Sequence, residues 1–416
     1  MSNVNKLYMV QKTNTLIEKA RNALYYRKLW GSAAMFKDFP LASKDLFDSR
    51  KIKESLAVNE DQVAYYYFSA GTTSNPKMIP FTEHEWVGRG KYRKECYEIA
   101  TINKRDKVAI LLPFGPWVAG PSAQTALFML GCTVFPMGLL SNIDEIRERF
   151  SIFQKHNIGV VITTPSFAQR LLYVNEMLGR ETRIKKIITS GEYISDTLRE
   201  KLHDSFGATV YSSYASSESF IGIECSIHNG FHFDPKQLIV ETIDQHTYLP
   251  TRGVGLLVIT SLVSEAIPLI RYPLGDLGLI DYAQCPCGRS WPRIIWEGRV
   301  QETFKVSGGV KVHSYQIREA LSKSHIPICR CKIEVSDNEM GESFVVFNLY
   351  TATEIGTQKH VLLEELSSLL TNMSIDFSDV VYHKIVRMSI GLMYEENAKK
   401  NMKIKIEVLD KQKYAR

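Results

Sequence analysis

The densest chemistry in the chain lies in fifteen residues, Phe68-Ser-Ala-Gly-Thr-Thr-Ser-Asn-Pro-Lys-Met-Ile-Pro-Phe-Thr82. They follow Val-Ala-Tyr-Tyr-Tyr-Phe, a β-branched and aromatic stretch that reads as a strand. Gly71 leaves backbone N–H groups accessible, Ser69, Thr72 and Thr73 add hydroxyls, and Lys77 adds a mobile positive charge. Such a set can surround phosphate oxygens. It is not of the Walker type, and no GxGxxG is present either. Taken alone, the same composition would also suit a surface turn.

A second constellation is built from sulfur and imidazole. Cys225 and His232 stand seven apart, and Cys285-Pro-Cys287 follows about fifty residues later. Three thiolates and one imidazole make a closed tetrahedral Zn2+ site, structural rather than catalytic. A reduced Cys-x-Cys turn is the alternative. Seven cysteines without a secretory leader argue against a disulfide framework.

These residues need a scaffold, and the chain is long enough for two or three compact units. A hydrophobic fraction of 44% with 23% charged residues is that of an ordinary globular protein. No window offers the roughly 18 apolar residues of a membrane span, and the first residues read as a polar amphipathic helix. The expectation is a cytoplasmic protein without membrane contact, monomer or homodimer. A net charge of +6 is too small to demand a nucleic-acid partner, and an anionic ligand such as ATP would suit it. The lysine-rich end, Lys-Lys-Asn-Met-Lys-Ile-Lys-Ile-Glu-Val, is read as a solvated surface, with a basic patch as the alternative.

Between Val63 and Ile280 short β-branched runs alternate with helical patterns, which predicts α/β layers around a largely parallel sheet. Buried strands are expected at 107–114, 132–138, 159–165, 185–191 and 208–214, with helices at 122–131, 144–157, 165–178 and 195–206. After Thr251 the pattern turns β-rich: 252–262 reads as a hairpin-like strand pair and 267–282 as further strands of another layer. The Gly- and Lys-rich segment 298–314 reads as a hinge. Beyond it, helices at 315–324 and 361–373 and strands at 329–337, 342–351 and 404–410 make a small α+β unit. The division expected is residues 1–300, a large α/β domain with layered sheets and helices, and 301–416, a small mobile α+β domain.

The loop Ser69 to Lys77 resembles the phosphate loop of the acyl-adenylate-forming superfamily, [ST]SGTT-G-x-P-K. Three more stretches come in that superfamily's order. Tyr214-Ala-Ser-Ser-Glu218 resembles YG-x-[ST]-E, Arg271-Tyr-Pro-Leu-Gly-Asp276 resembles Y-x-[ST]-GD, and Gly298-Arg299 with Lys305 to Lys311 resembles the GR-x-x-D…K-x-x-G hinge. Within the superfamily the chain is most similar to the phenylacetate–coenzyme A ligase branch, through 39–49, 267–278 and 298–321. Departures are Ala70 for serine, Ala215 for the motif glycine, Gln301 and Glu302 for an acidic pair, and Ser307 for arginine.

The resemblance implies ATP-dependent activation of a carboxylic acid as acyl-AMP, then transfer to the thiol of coenzyme A. In that frame Ser69, Gly71, Thr72, Thr73, Lys77 and Ser217 face the nucleotide, Glu218 holds Mg2+ near the phosphates, Asp276 takes the ribose hydroxyls and Arg299 reaches the nucleotide. Magnesium's preference for oxygen ligands and phosphates fits one carboxylate rather than a cage. The acid would lie among Phe114, Trp117, Ser190, Gly191, Glu192, Tyr214 and Ala215, an apolar wall suited to an aryl or medium acyl acid; Trp117 as plain core is the alternative. Several members of the branch also carry cysteine and histidine at the positions of the four zinc candidates. The catalytic lysine of the superfamily falls on Lys403 or Lys405. Two other functions stay open: loading a carrier-protein phosphopantetheine or an amine, and a non-catalytic nucleotide-binding relative.

Overall fold

A computed structural model of the chain describes residues 3–33, 35–69, 76–140, 143–245, 247–305, 311–313, 328–337, 343–351, 380–387 and 405–410. Three helices come first, α1 (Asn3–Ala20), α2 (Leu24–Trp30) and α3 (Ile52–Ser55). The strands β1 (Val63–Phe68) and β2 (Met78–Thr82) then pair antiparallel on either side of the candidate phosphate loop. An alternation follows: α4 (Glu83–Ile99), β3 (Lys107–Leu111), α5 (Ala119–Leu130), β4 (Thr133–Pro136), α6 (Ile143–His156), β5 (Val160–Thr163), α7 (Pro165–Met177), β6 (Lys186–Ser190), α8 (Asp196–Phe206) and β7 (Thr209–Ala215). Strands alone come next: β8 (Phe220–Ile223), β9 (Phe231–His232), β10 (Leu238–Ile243), β11 (Gly255–Ser261), β12 (Tyr272–Asp281) and β13 (Arg293–Arg299).

Eleven of these strands form one sheet, in the order β10-β11-β12-β13-β9-β8-β7-β6-β5-β3-β4. From β4 to β7 the pairing is parallel; from β7 to β10 it is antiparallel. The sheet is therefore mixed, where the sequence suggested a largely parallel one followed by a separate β layer. Residues 252–262 contribute the single strand β11, whose hairpin partner is β10, and 267–282 contribute the single strand β12. The run 132–138 forms the sheet's edge strand rather than a buried one. Between the two halves the ladder is thin: β8 meets β9 only at Ile223 with His232, and β9 meets β13 at two residues.

The parallel half shows why its strands read as apolar runs. Val108, Ile110, Val160, Ile162 and Ile188 join one core, while Ala109, Leu111, Val161 and Ile187 join the other, the two-residue alternation of a sheet covered on both faces. Tyr92, Tyr97, Ala123 and Leu127 of α4 and α5 cover the first face. Phe150, Phe153, Leu171, Leu202 and Phe206 of α6, α7 and α8 cover the second. Helix starts carry the expected caps: Thr164 accepts from the N–H of Phe167 with Pro165 at the first helical position, and Ser195 accepts from Leu198. Helix α8 ends at Gly207, whose φ of 73° is the left-handed C-cap geometry.

After β13 come β14 (Thr303–Lys305) and β15 (Lys311–His313), paired antiparallel within the expected hinge segment. The strands β16 (Ile328–Asp337), β17 (Ser343–Thr351), β18 (Val380–Arg387) and β19 (Lys405–Asp410) form a four-stranded sheet in the order β18-β17-β16-β19. Three of its strands fall where the sequence placed them, and β18 was not anticipated. The helices expected at 315–324 and 361–373 lie outside the described residues.

Candidate functional site

Strand ends and one turn converge at the base of the phosphate-loop candidate. The Ser69 N–H donates to the Lys77 carbonyl at 3.1 Å, which pinches the two ends of the loop together. Phe68 N–H donates to the Pro116 carbonyl at 2.8 Å and pairs alongside Trp117, so the segment carrying Phe114 and Trp117 lies against the loop's base. Phe114 and Trp117 are both half-buried. Ala70, Gly71, Thr72 and Thr73 lie outside the described residues.

Lys77 pairs directly with Glu218, which sits in the turn between β7 and β8. Tyr272, the first residue of β12, completes a triangle: its hydroxyl accepts from Lys77 Nζ at 2.7 Å and donates to Glu218 Oε1 at 2.9 Å. Burial by itself would raise the Glu218 carboxyl, but the Lys77 charge and the Lys77 and Tyr272 hydrogen bonds outweigh it and hold the group below its ordinary range. Lys77 keeps 27% of its side chain exposed against 5% for Glu218, so the cation is the partner free to turn toward a ligand.

A second cluster lies four residues further along β12. Asp276 Oδ2 accepts from the Tyr214 hydroxyl at 2.7 Å, and Oδ1 accepts from Arg299 Nε at 3.1 Å. Each carboxylate oxygen has a second lone pair, so a diol can still be received. Ser217 shares the turn with Glu218, and Ala215 closes β7 beside it. Ser190 ends β6, and Gly191, at φ 81°, turns the chain so that Glu192 reaches the start of α7, where the N–H and Oγ of Ser166 donate to it. The structure thus gives Glu192 a helix-capping contact next to the expected acid pocket. Lys403 lies outside the described residues, and Lys405 begins β19.

The zinc candidates come together as a separate unit. The ligand atoms of Cys225, His232, Cys285 and Cys287 all lie within 4.8 Å of one another. Cys225 and Cys285 sulfurs are 3.7 Å apart, and Cys287 Sγ is 3.5 Å from His232 Nε2. Bond lengths of about 2.3 Å to sulfur and 2.0–2.1 Å to nitrogen put tetrahedral neighbours about 3.8 Å and 3.6 Å apart, so the set fits the ion. His232 Nδ1 donates to the Trp291 carbonyl at 3.1 Å, which fixes the tautomer that leaves Nε2 bare. Burial keeps the imidazole pKa below its usual value, the neutral form a ligand needs.

Two residues of this arrangement, Tyr272 and Arg89, lie outside the sequence expectations. Tyr272 lies inside the Arg271–Asp276 motif, where the motif itself points to Asp276. Arg89 follows Glu85 and precedes Arg93 at four-residue steps on a helix face that also buries Tyr92 and Cys96, and charges on a buried face were the available signal.

The description "AMP-binding enzyme" is that of a family whose model matches residues 8–258, more than half of the chain. The chain belongs to the AMP-binding enzyme family. Among its family relatives, the phenylacetate-coenzyme A ligase of Aromatoleum evansii is 25% identical over 369 residues, 83% of this chain and 82% of that protein. The phenylacetate-coenzyme A ligase of Thermus thermophilus is 26% identical over 275 residues, 64% of this chain and 61% of that one. The crystal structure of 2-hydroxyisobutyryl-CoA ligase in the postadenylation state, in complex with 2-HIB-AMP, matches with a TM-score of 0.77 at 18% identity, over 95% of this chain and 91% of that one. This AMP-binding enzyme therefore has the mixed α/β fold of that ligase. Among its described residues no helix is long and apolar enough to cross a membrane.

Proposed function

We propose that the chain activates an aryl or medium-sized carboxylic acid with ATP and transfers the acyl group to the thiol of coenzyme A. The observation that carries this is the meeting of Lys77 with Glu218 beside the Tyr214–Asp276–Arg299 cluster, a cation, a carboxylate and a diol acceptor in one place. In the first half-reaction a carboxylate oxygen attacks the α-phosphorus, the α–β phosphoanhydride bond breaks, and pyrophosphate leaves with the electron pair. In the second, the thiol sulfur attacks the acyl carbon, AMP leaves, and the thiol proton is given up to base or solvent.

Lys77 would exchange Glu218 for phosphate oxygens, and Glu218 would then be released to ligate Mg2+. The ion, when bound, would neutralise charge on the phosphates. Asp276 would hold the ribose, and Arg299 would keep that carboxylate oriented. Phe114 and Trp117 would wall the acid, with water excluded around the reacting carboxylate. Residues 301–416 would act as the lid, swinging about Gln301 and Glu302 to bring Lys403 or Lys405 to the site for the first step. Cys225, His232, Cys285 and Cys287 would hold a structural Zn2+.

ATP–pyrophosphate exchange across aryl, fatty and amino acids, with Lys403→Ala and Lys405→Ala alongside, tests the proposal. Exchange with an aryl or medium acyl acid, lost in one lysine variant, is expected. ATP binding without exchange for any acid would overturn the adenylation reading. Exchange followed by acyl transfer to a carrier protein but not to coenzyme A would overturn the choice of acceptor.

A further inference from the structure

Arg89 sits on α4, the helix that follows directly from Lys77 and β2, and it is 8% exposed. Its Nη1 donates to the Glu218 carbonyl at 3.0 Å, its Nη2 reaches the Ser216 carbonyl at 3.5 Å, and its Nε reaches Ser122 Oγ at 3.4 Å. The guanidinium also lies over the Phe81 ring, 5.3 Å from its centroid. The turn it grips closes on itself through Ser216 N–H to the Ser219 carbonyl at 2.8 Å and Ser219 N–H to Ser216 Oγ at 3.1 Å. One buried fork thus holds, by two carbonyls, the four residues that present the Glu218 side chain to Lys77.

The placement is costly, which is why it points to a purpose. Burial pulls the Arg89 guanidinium down to about 10, with Arg93 adding to the effect. The nearby Glu85 and Glu218 carboxylates offset only part of this, and the guanidinium's own hydrogen bonds go to two carbonyls and a hydroxyl, a poor choice for stability alone. It is a good choice for geometry, since the planar fork fixes two acceptors at once where lysine offers a single point of charge. The cavity next to it, lined by Glu85, Arg89, Glu218 and Gln237 among others, measures about 20 Å³, room for a water and no more. Arg89 therefore works through the turn and not on a substrate.

We propose that Arg89 is a positioning residue that fixes the 216–219 turn and so sets where the Glu218 carboxylate meets magnesium–ATP. It ties the Lys77 side of the site, through α4, to the Glu218 side. The proposal rests on Glu218 ligating magnesium as described above. The test is calorimetric titration of the full chain with ATP at several Mg2+ concentrations, for wild type, Arg89→Lys, Arg89→Gln and Glu218→Gln, with thermal unfolding of each.

Arg89→Lys keeps the charge and loses the two-carbonyl grip, so half-saturating Mg2+ rises about tenfold, the worth of one charge-assisted hydrogen bond. ATP binding without Mg2+ stays within about twofold of wild type, a split that a merely structural role would not produce. Arg89→Gln, shorter and uncharged, keeps at most one weaker hydrogen bond to the turn and raises half-saturating Mg2+ at least as far as Arg89→Lys. If Glu218→Gln leaves the Mg2+ dependence intact, the magnesium role of Glu218 fails and the proposal with it. If Glu218→Gln abolishes that dependence while Arg89→Lys matches wild type, Arg89 alone is wrong. Failure of both Arg89 variants to fold would also overturn the proposal and leave Arg89 as core support.

Discussion

Replacing Cys287 by serine probes the proposed metal clip, and the size of its effect follows from where the ligands lie. Cys225 and His232 belong to β8's trailing loop and to β9, and Cys285 and Cys287 to the connection between β12 and β13. Cys285 lies 53 residues beyond His232, and tying off a loop of that length costs the unfolded chain about 4 kcal/mol of conformational entropy. Loss of the ion returns that freedom to the unfolded state, so Cys287→Ser should lose up to about 4 kcal/mol. For a chain of this size that lowers Tm by about 5 °C. The assay is elemental analysis after dialysis, paired with thermal unfolding with and without a strong chelator. Wild type should carry about one zinc per chain and fall to the Tm of Cys287→Ser when chelated, while the variant does not respond to the chelator. Wild type that holds no zinc after growth and dialysis in zinc, and whose Tm ignores chelator, would refute the clip. Direct bonding of Cys225 and Cys285 is already at odds with their 3.7 Å separation, far beyond the roughly 2.05 Å of a disulfide.

Three further outcomes are expected. Lys77→Met strands Glu218 in its buried position and removes the cation for the phosphates; pyrophosphate exchange should fall at least about a hundredfold, as read by initial rates at saturating acid. If Asp276 takes the ribose hydroxyls, wild type should bind ATP about tenfold more tightly than 2′-deoxy-ATP, and Asp276→Asn should lose that discrimination in competition titrations. Burial pushes the Glu85 carboxyl up to about 7 against the hydrogen bonds from Ala266 and Glu265 and the charge of Arg89. Its folded pKa lies above the unfolded value of 4.5, so its contribution to stability is complete below about pH 4.5 and declines as pH rises to about 7. The decline amounts to about 3 kcal/mol, and Glu85→Gln should flatten that part of the curve of denaturant stability against pH.

The parallel half was legible because its strands are short, β-branched and buried on both faces, between helices whose apolar spacing is regular. Residues 160–163 and 186–190 fall within the runs that periodicity picked out. The antiparallel half was harder. Periodicity says that 252–262 and 267–282 are extended, but not that each is one strand, nor that both extend the same sheet; long-range pairing decides that. The four zinc candidates were legible from residue type, and the fold alone could show that His232 turns Nε2 toward Cys287. Glu218 and Asp276 could be named, but the contacts that hold Glu218 could not be paired with it, since Arg89, Lys77 and Tyr272 come to the 216–219 turn from α4, β2's leading edge and β12. Arg89 lies on a buried helix face, where periodicity alone does not separate a positioning charge from a core-lining one.

The thin ladder at β8, β9 and β13 has a mechanical consequence. Glu218 belongs to the strands on one side of that join, while Asp276 and Arg299 belong to those on the other. Backbone pairing across it is so sparse that it resists shear weakly. Alignment of the proposed phosphate end with the proposed ribose end thus leans on fasteners that cross the join, the Cys–His cluster, the Tyr214–Asp276 contact and the Tyr272–Glu218 hydrogen bond. Loosening those fasteners would leave two intact half-sheets slightly out of true, a molecule with native secondary structure that grips each end of a nucleotide and misses the distance between them.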